Sequence, residues 1–210
     1  MSLLFKIVIW LAYLTLLAEL LFLHVPSVAS SLRILTADAV TVSGYSERKR
    51  KLFRLPISIK ILLFVLPIGV IYGVFAFPLI VTFAGPNPLD DYVFAPMSPW
   101  MEGGVVLLIA GRVITLAATL AIRTEYRLRG NSFLLHTAGV FNWSRNPGLV
   151  GMILFIIGGW LLVPSTTMAV GIGIYIAHMY LKIRLEEDFL LTRFGEQYSD
   201  YCRHTPRFLV

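Results

Sequence analysis

The sequence is short of charge, of cysteine and of acid. Only 14% of its 210 residues are Asp, Glu, Lys or Arg, where a water-soluble domain usually carries about a quarter. That deficit excludes an ordinary soluble globule and points to lipid as the main solvent. The single cysteine, Cys202, excludes an intramolecular disulfide and a cysteine-rich zinc or iron–sulfur site. No His/Asp/Glu cluster has metal spacing either, so no metal is expected. Internal repeats and low-complexity tracts are absent. Acid is scarcer than base, with 12 Asp and Glu against 18 Lys and Arg, a net charge of +6. A basic balance can signal nucleic acid. In a chain this apolar, basic cytoplasmic loops explain it more simply, and no nucleic-acid partner is expected.

What is present is apolar, at 57% of residues. A helix crossing the hydrocarbon needs about 20 such residues. Leu3–Val25, Ile57–Phe83 and Gly103–Ile122 meet this plainly. Leu3–Val25 is longer than a signal-peptide core, so the Ser27-Val28-Ala29 stretch after it reads as sequence following a retained helix rather than as a cleavage site. Gly148–Val163 and Thr167–Leu181 are shorter arms joined by Pro164-Ser165-Thr166. At roughly 1.5 Å per residue, each reaches only about 24 Å. They form a tight hairpin, or their helices run on into flanking sequence.

Loop charge sets the orientation. The first loop holds Arg33, Arg48, Lys49, Arg50, Lys51 and Arg54, and the third holds Arg123, Arg127, Arg129 and Arg145. The second carries Asp90, Asp91 and Glu102 without a cation. The positive-inside rule puts the first loop, the third loop and the tail in the cytoplasm, with the N-terminus outside. The expected fold is therefore all-α: one membrane domain over 1–210, a polytopic bundle of about five transmembrane helices. It ends in a C-terminal hairpin and a cytoplasmic amphipathic helix. The run from Glu47 to Lys51 reads chiefly as a topogenic anchor.

Polar residues inside the spans are costly in lipid and ask for partners. Glu19 and Arg112 read as a structural pair or as snorkelling groups, and His178 as a packed polar residue. Ser144 lacks a His and Asp partner set for nucleophilic catalysis.

Two polar stretches gather on the cytoplasmic side of the C-terminal half. One runs from His136 to Gly148 and enters the hairpin at Arg145-Asn146-Pro147. Pro147 suits a first helical turn, and donors beside free backbone N–H groups suit a carboxylate or phosphate. The other begins at Arg184-Leu185-Glu186-Glu187-Asp188 and continues through Phe194-Gly195-Glu196-Gln197-Tyr198 and Tyr201 to Pro206-Arg207-Phe208. From Tyr180 to Phe194 it reads as a helix with Leu181, Leu185, Phe189 and Thr192 on one face and Gly195 as its C-cap. Lys182 with Glu186, and Arg184 with Asp188, stand at i,i+4. Pattern alone favours a solvated juxtamembrane helix.

Taken together, Gly139-Val140-Phe141, Arg145-Asn146-Pro147-Gly148-Leu149-Val150-Gly151, Glu186-Glu187 and Phe194-Gly195-Glu196-Gln197-Tyr198 with Tyr201 resemble the isoprenylcysteine carboxyl methyltransferase family and its phospholipid methyltransferase relatives. The likeness covers about Leu134 to Phe208, and its order and spacing around a hairpin make it specific. It implies S-adenosylmethionine as cofactor. It also implies a lipid-like or small apolar methyl acceptor of the isoprenylcysteine carboxylate type, and a cytoplasmic active site in a multi-pass protein. The implied cofactor residues are Leu135, His136, Phe141, Asn146, Pro147, Gly148, Leu149, Glu186 and Glu187. Arg184, or Lys182 earlier on the same helix, is implied to orient the acceptor, with Arg145 beside it. Residues 1–122 then form the substrate side and 123–210 the cofactor side. Two positions depart from the family pattern: Asn146 replaces the commoner histidine, and Leu149 replaces a tyrosine.

Two other readings compete. Sterol-reductase-like enzymes resemble this family at their C-terminal ends and bind NADPH, but they are longer and lack the paired glutamates followed by Phe-Gly. A non-catalytic membrane scaffold is the third reading.

Overall fold

The computed structural model describes residues 3–23, 47–84, 98–128 and 135–209. The sequence features at Arg33, at Asp90 and Asp91, at Arg129 and at Ser27–Ala29 lie outside the described residues, as do the side chains of Arg48, Lys49 and Arg127.

Every extended element among the described residues is helical. We number the α-helices α1 (Leu3–Leu23), α2 (Glu47–Phe53), α3 (Ile57–Lys60), α4 (Leu66–Ala84), α5 (Ser98–Leu128), α6 (Pro147–Leu162), α7 (Thr166–Phe194) and α8 (Glu196–His204). A π-helical turn, Ile61–Val65, joins α3 to α4, and a 3-10 turn, Gly139–Asn142, precedes α6.

Local chemistry explains the boundaries. Proline has no N–H to give the carbonyl four residues back, so Pro67 cannot serve Leu63. Beside the π turn that carbonyl faces His178, whose Nδ1 lies 3.1 Å away. A carbonyl only accepts, so Nδ1 carries the proton and donates. His178 is thus a packed polar residue of the helix interface, as expected. Pro147 opens α6 at its first position. Ser165 caps α7, its hydroxyl accepting from the Met168 N–H at 3.2 Å. Gly195 closes α7 at φ +53°, a left-handed conformation that only glycine adopts freely.

Packing centres on α5 and α6, which lie together over most of the length of α6. A Cβ on Gly111 would collide with the Gly151 carbonyl and the Phe155 backbone nitrogen. One on Gly151 would come within 2.5 Å of the Thr115 hydroxyl. Lipid gives helices no hydrophobic reason to associate, so close backbone approach at small residues is what joins them. Phe155 of α6 anchors an aromatic cluster. It lies 5.2 Å from Tyr13 of α1 and 6.1 Å from Phe75 of α4, and Phe75 meets Tyr175 of α7 edge-on at 5.8 Å.

The expected Glu19–Arg112 pair is present and buried between α1 and α5. Arg112 also donates to the Thr15 hydroxyl and carbonyl, each at 2.9 Å, and Thr119 donates to Glu19 at 2.6 Å. Outside this interior the helices present Leu11, Leu14, Leu66, Phe83, Val106 and Val113 outward, an apolar surface that lipid covers more readily than water.

Among the described residues, two helices are long and apolar enough to cross a bilayer, Pro99–Arg123 within α5 and Thr166–Phe194. The second takes the alternative in which the short arm runs on into flanking sequence. The short arm Thr167–Leu181 and the amphipathic helix Tyr180–Phe194 are one continuous 29-residue helix. Its inner face at that end is Ile183 and Leu185, while Leu181 and Phe189 are half-buried and Thr192 is exposed. The arm α6 ends just before the Pro164-Ser165 turn, but its main partner is α5 and it touches α7 only lightly.

Candidate functional site

The site is built where four pieces meet: the loop before α6, the start of α6, the end of α7 and the tail after α8. Proline at 147 keeps Asn146 extended rather than helical. The chain therefore turns sharply and exposes its backbone to the tail. The Arg145 N–H donates to the Pro206 carbonyl at 2.9 Å, and the Asn146 amide Nδ2 donates to the Arg207 carbonyl at 3.0 Å. Ser144, fully buried, accepts from the Asn146 N–H at 3.1 Å and donates to the same Arg207 carbonyl at 3.4 Å. Its role is a hinge pin between loop and tail, consistent with the lack of a nucleophile's partners.

Glu187 is the electrostatic centre. Arg207 grips it through both oxygens, Nε to Oε1 at 2.9 Å and Nη2 to Oε2 at 2.7 Å. Such forked pairs are the stronger and more directional kind. Arg145 Nη1 reaches Oε1 at 3.1 Å and also the Cys202 sulfur at 2.7 Å. The Glu187 carboxylate in turn holds the Arg207 guanidinium above its ordinary pKa, chiefly through that hydrogen bond. Two guanidiniums thus face one carboxylate, leaving the cluster net positive.

The two tyrosines of the tail motif support the same clasp. The Tyr201 hydroxyl donates to the Phe141 carbonyl at 2.7 Å. Burial pushes its pKa up to about 12, and burial likewise raises that of Tyr198, helped by the neighbouring Cys202 and Glu187. Both phenols therefore stay protonated at neutral pH. Phe141 is buried, and its ring meets His136 edge-on at 4.9 Å.

The residues implied by the resemblance come together in part. Phe141, Arg145, Asn146 and Glu187 join through the network just described. Leu135 and His136 lie half-buried on the approach to it. Pro147 and Leu149 are buried, Leu149 within the apolar core, while Gly148 is half-buried. Glu186 is different from its neighbour: it is exposed. Arg184 is half-buried. Arg207 is the participant that sequence reasoning did not single out. It sits 20 residues from Glu187, a separation without a periodic signal. Among the described residues, no three His, Cys, Asp or Glu side chains gather where a metal ion could bind.

Comparison with known proteins bears on this region. The model of the phospholipid methyltransferase family matches residues 100–197, from the start of α5 to the start of α8. Protein-S-isoprenylcysteine O-methyltransferase of Xenopus laevis is 26% identical across 55% of this chain and 49% of that protein. The protein of the same name from Tribolium castaneum is 28% identical across 54% of this chain and 43% of its own length. The chain thus spans about half the length of these curated relatives, or slightly less. No solved structure matches it significantly. The family match falls on the helices and loop that build the site, and the two relatives share one name; over this region the chain is similar to the phospholipid methyltransferase family and to isoprenylcysteine O-methyltransferases.

Proposed function

We propose that the protein is an S-adenosylmethionine-dependent methyltransferase embedded in the membrane. It transfers a methyl group to a lipid-like or small apolar acceptor of the isoprenylcysteine carboxylate type. In this reading α1, the α3–α4 segment, α5, α6 and α7 cross the bilayer, and the clasp faces the cytoplasm.

The observation that carries the reading is the division of labour between adjacent glutamates. Glu187 is held by Arg145 and Arg207, whereas Glu186 stands exposed beside them. The cofactor's amino-acid end bears an ammonium and a carboxylate. Glu186 suits the ammonium. For the carboxylate, Arg145 Nε is a buried donor with no hydrogen-bond partner among the described residues, and the first turn of α6 adds the N–H of Gly148, Pro147 having none to offer. His136 and Phe141 present an aromatic pair suited to a nucleobase. The buried Leu149 packs in the core and supports the turn from behind, so the tyrosine-to-leucine departure costs a side-chain contact but not the turn.

S-adenosylmethionine would supply an electrophilic methyl group on a sulfonium. The protein's task is then alignment, because direct displacement needs donor and acceptor held in line. A carboxylate acceptor is already ionised and requires no general base. Arg184, half-buried on the same helix, would hold such an acceptor. The clasp excludes water from the loop side by pinning the tail across it.

The test is methyl transfer from labelled cofactor into a membrane lipid extract by the purified full chain, with the product identified by mass. A labelled lipid or prenylated thioether carboxyl ester supports the reading. Absence of any labelled product, in protein shown to be folded, overturns it.

A further inference from the structure

Arg207 holds the site at two points. Its side chain spans Glu187, Nε to Oε1 at 2.9 Å and Nη2 to Oε2 at 2.7 Å. Its carbonyl accepts from the Asn146 amide at 3.0 Å and from the Ser144 hydroxyl at 3.4 Å. The preceding residue continues the seam, the Pro206 carbonyl accepting from the Arg145 N–H at 2.9 Å. The tail is thus fixed to the loop through its backbone, and to α7 through the Arg207 guanidinium.

That arrangement decides what is left of Arg145. A guanidinium and a carboxylate that meet without a rival commonly form two parallel hydrogen bonds. Arg145 and Glu187 are in contact and each is only 13% exposed, yet Arg145 meets the carboxylate at a corner, Nη1 to Oε1 at 3.1 Å. The fork belongs to Arg207, which holds both oxygens at shorter distances. Nη1 of Arg145 also reaches the Cys202 sulfur at 2.7 Å. Its Nε is buried and has no hydrogen-bond partner among the described residues. An unpaired buried donor is costly, and a ligand oxygen would relieve it. Without Arg207, both oxygens of Glu187 would be free to turn to Arg145. The two would close into a neutral pair, and the surplus positive charge would be gone.

We propose that Arg207 is a positioning residue for the anionic end of the ligand. By taking both oxygens of Glu187, it keeps Arg145 from being neutralised and leaves its Nε unspent for a ligand carboxylate. That this ligand is S-adenosylmethionine rests on the proposed function.

The test is equilibrium binding to the purified full chain, with S-adenosylmethionine and its decarboxylated form as probes. The wild type should bind S-adenosylmethionine at least tenfold more tightly than the decarboxylated form. Arg207→Gln should bind S-adenosylmethionine at least tenfold more weakly than the wild type, with its preference for the carboxylate below threefold. Adding Glu187→Gln removes the competing carboxylate. The double variant should recover affinity and preference to within threefold of the wild type, although its tail has lost the fork. A merely structural tail contact predicts no recovery, so a double variant as weak as Arg207→Gln overturns the inference. So does Arg207→Gln with undiminished affinity, or a wild type that binds both probes equally; in each case the wild type still binds the cofactor and the proposed function stands. A wild type that binds neither probe overturns the proposed function and this inference together. Should Arg207→Gln not fold, Arg207→Lys carries the comparison. Lysine is a point charge without the planar fork, so at least a threefold loss is expected, and an unchanged affinity overturns the inference.

Discussion

Glu19 and Glu187 both meet arginine, and the contrast between them separates what holds this molecule from what equips it. Glu19 pairs with one guanidinium between α1 and α5, and threonine hydroxyls satisfy what is left over. The result is neutral, as an apolar surrounding demands. Glu187 sits between two guanidiniums from different chain segments, and the surplus positive charge remains beside an exposed Glu186. A neutral pair joins helices. An unbalanced cluster at the water edge can also receive a zwitterionic ligand.

The contrast can be broken at several points. The largest effect is expected at Arg112. Arg112→Ala leaves Glu19 as an uncompensated buried charge and should cost about 3–5 kcal/mol, read as a loss of folded protein in a melting experiment. Replacing both partners by leucine should cost far less, because neither charge is then stranded. A double variant as unstable as the single one would show that the pair does more than hold two helices.

Glu187→Ala should act elsewhere. Charge-assisted hydrogen bonds contribute roughly 1.5–3 kcal/mol, and this carboxylate accepts several. The expected outcome is release of the tail, with faster hydrogen exchange at residues 201–208 and unchanged exchange in α1 and α5. Glu186→Ala should leave the tail docked and weaken cofactor binding at least tenfold, a difference of about 1.4 kcal/mol.

Tyr201→Phe removes one hydrogen bond between tail and loop and should cost about 1 kcal/mol. The same contact carries a pH signature. The folded-state pKa of Tyr201 is raised, so its contribution is fully present below the ordinary phenol value of about 10. It is lost as pH rises through the folded value of about 12. Tail protection measured across that window should fall in the wild type and stay flatter in Tyr201→Phe.

Much of this was legible in the sequence where the signal is local. Long apolar runs mark the helices because hydropathy persists over every turn, and the Glu19–Arg112 pair was expected because unpaired charge is costly in lipid. The continuity of α7 was legible only as one of two alternatives, a tight hairpin or an arm that runs on into flanking sequence. Charge after Leu181 looks like a new, solvated helix, yet nothing between Tyr180 and Phe194 breaks the backbone ladder. The α5–α6 seam was written in glycines that only a partner helix explains, since Gly111 and Gly151 matter through what a Cβ would strike. In the site, Phe141, Asn146 and Glu187 were reached through ordered motifs. Arg207 was not assigned a role, because its bond to Glu187 depends on the tail folding back.

The most direct test of the central claim is a calorimetric titration of the purified full chain with S-adenosylmethionine. The account predicts saturable binding by the wild type and at least tenfold weaker binding by Glu186→Ala. An absence of heat with S-adenosylmethionine, together with clear binding of NADPH, would contradict it.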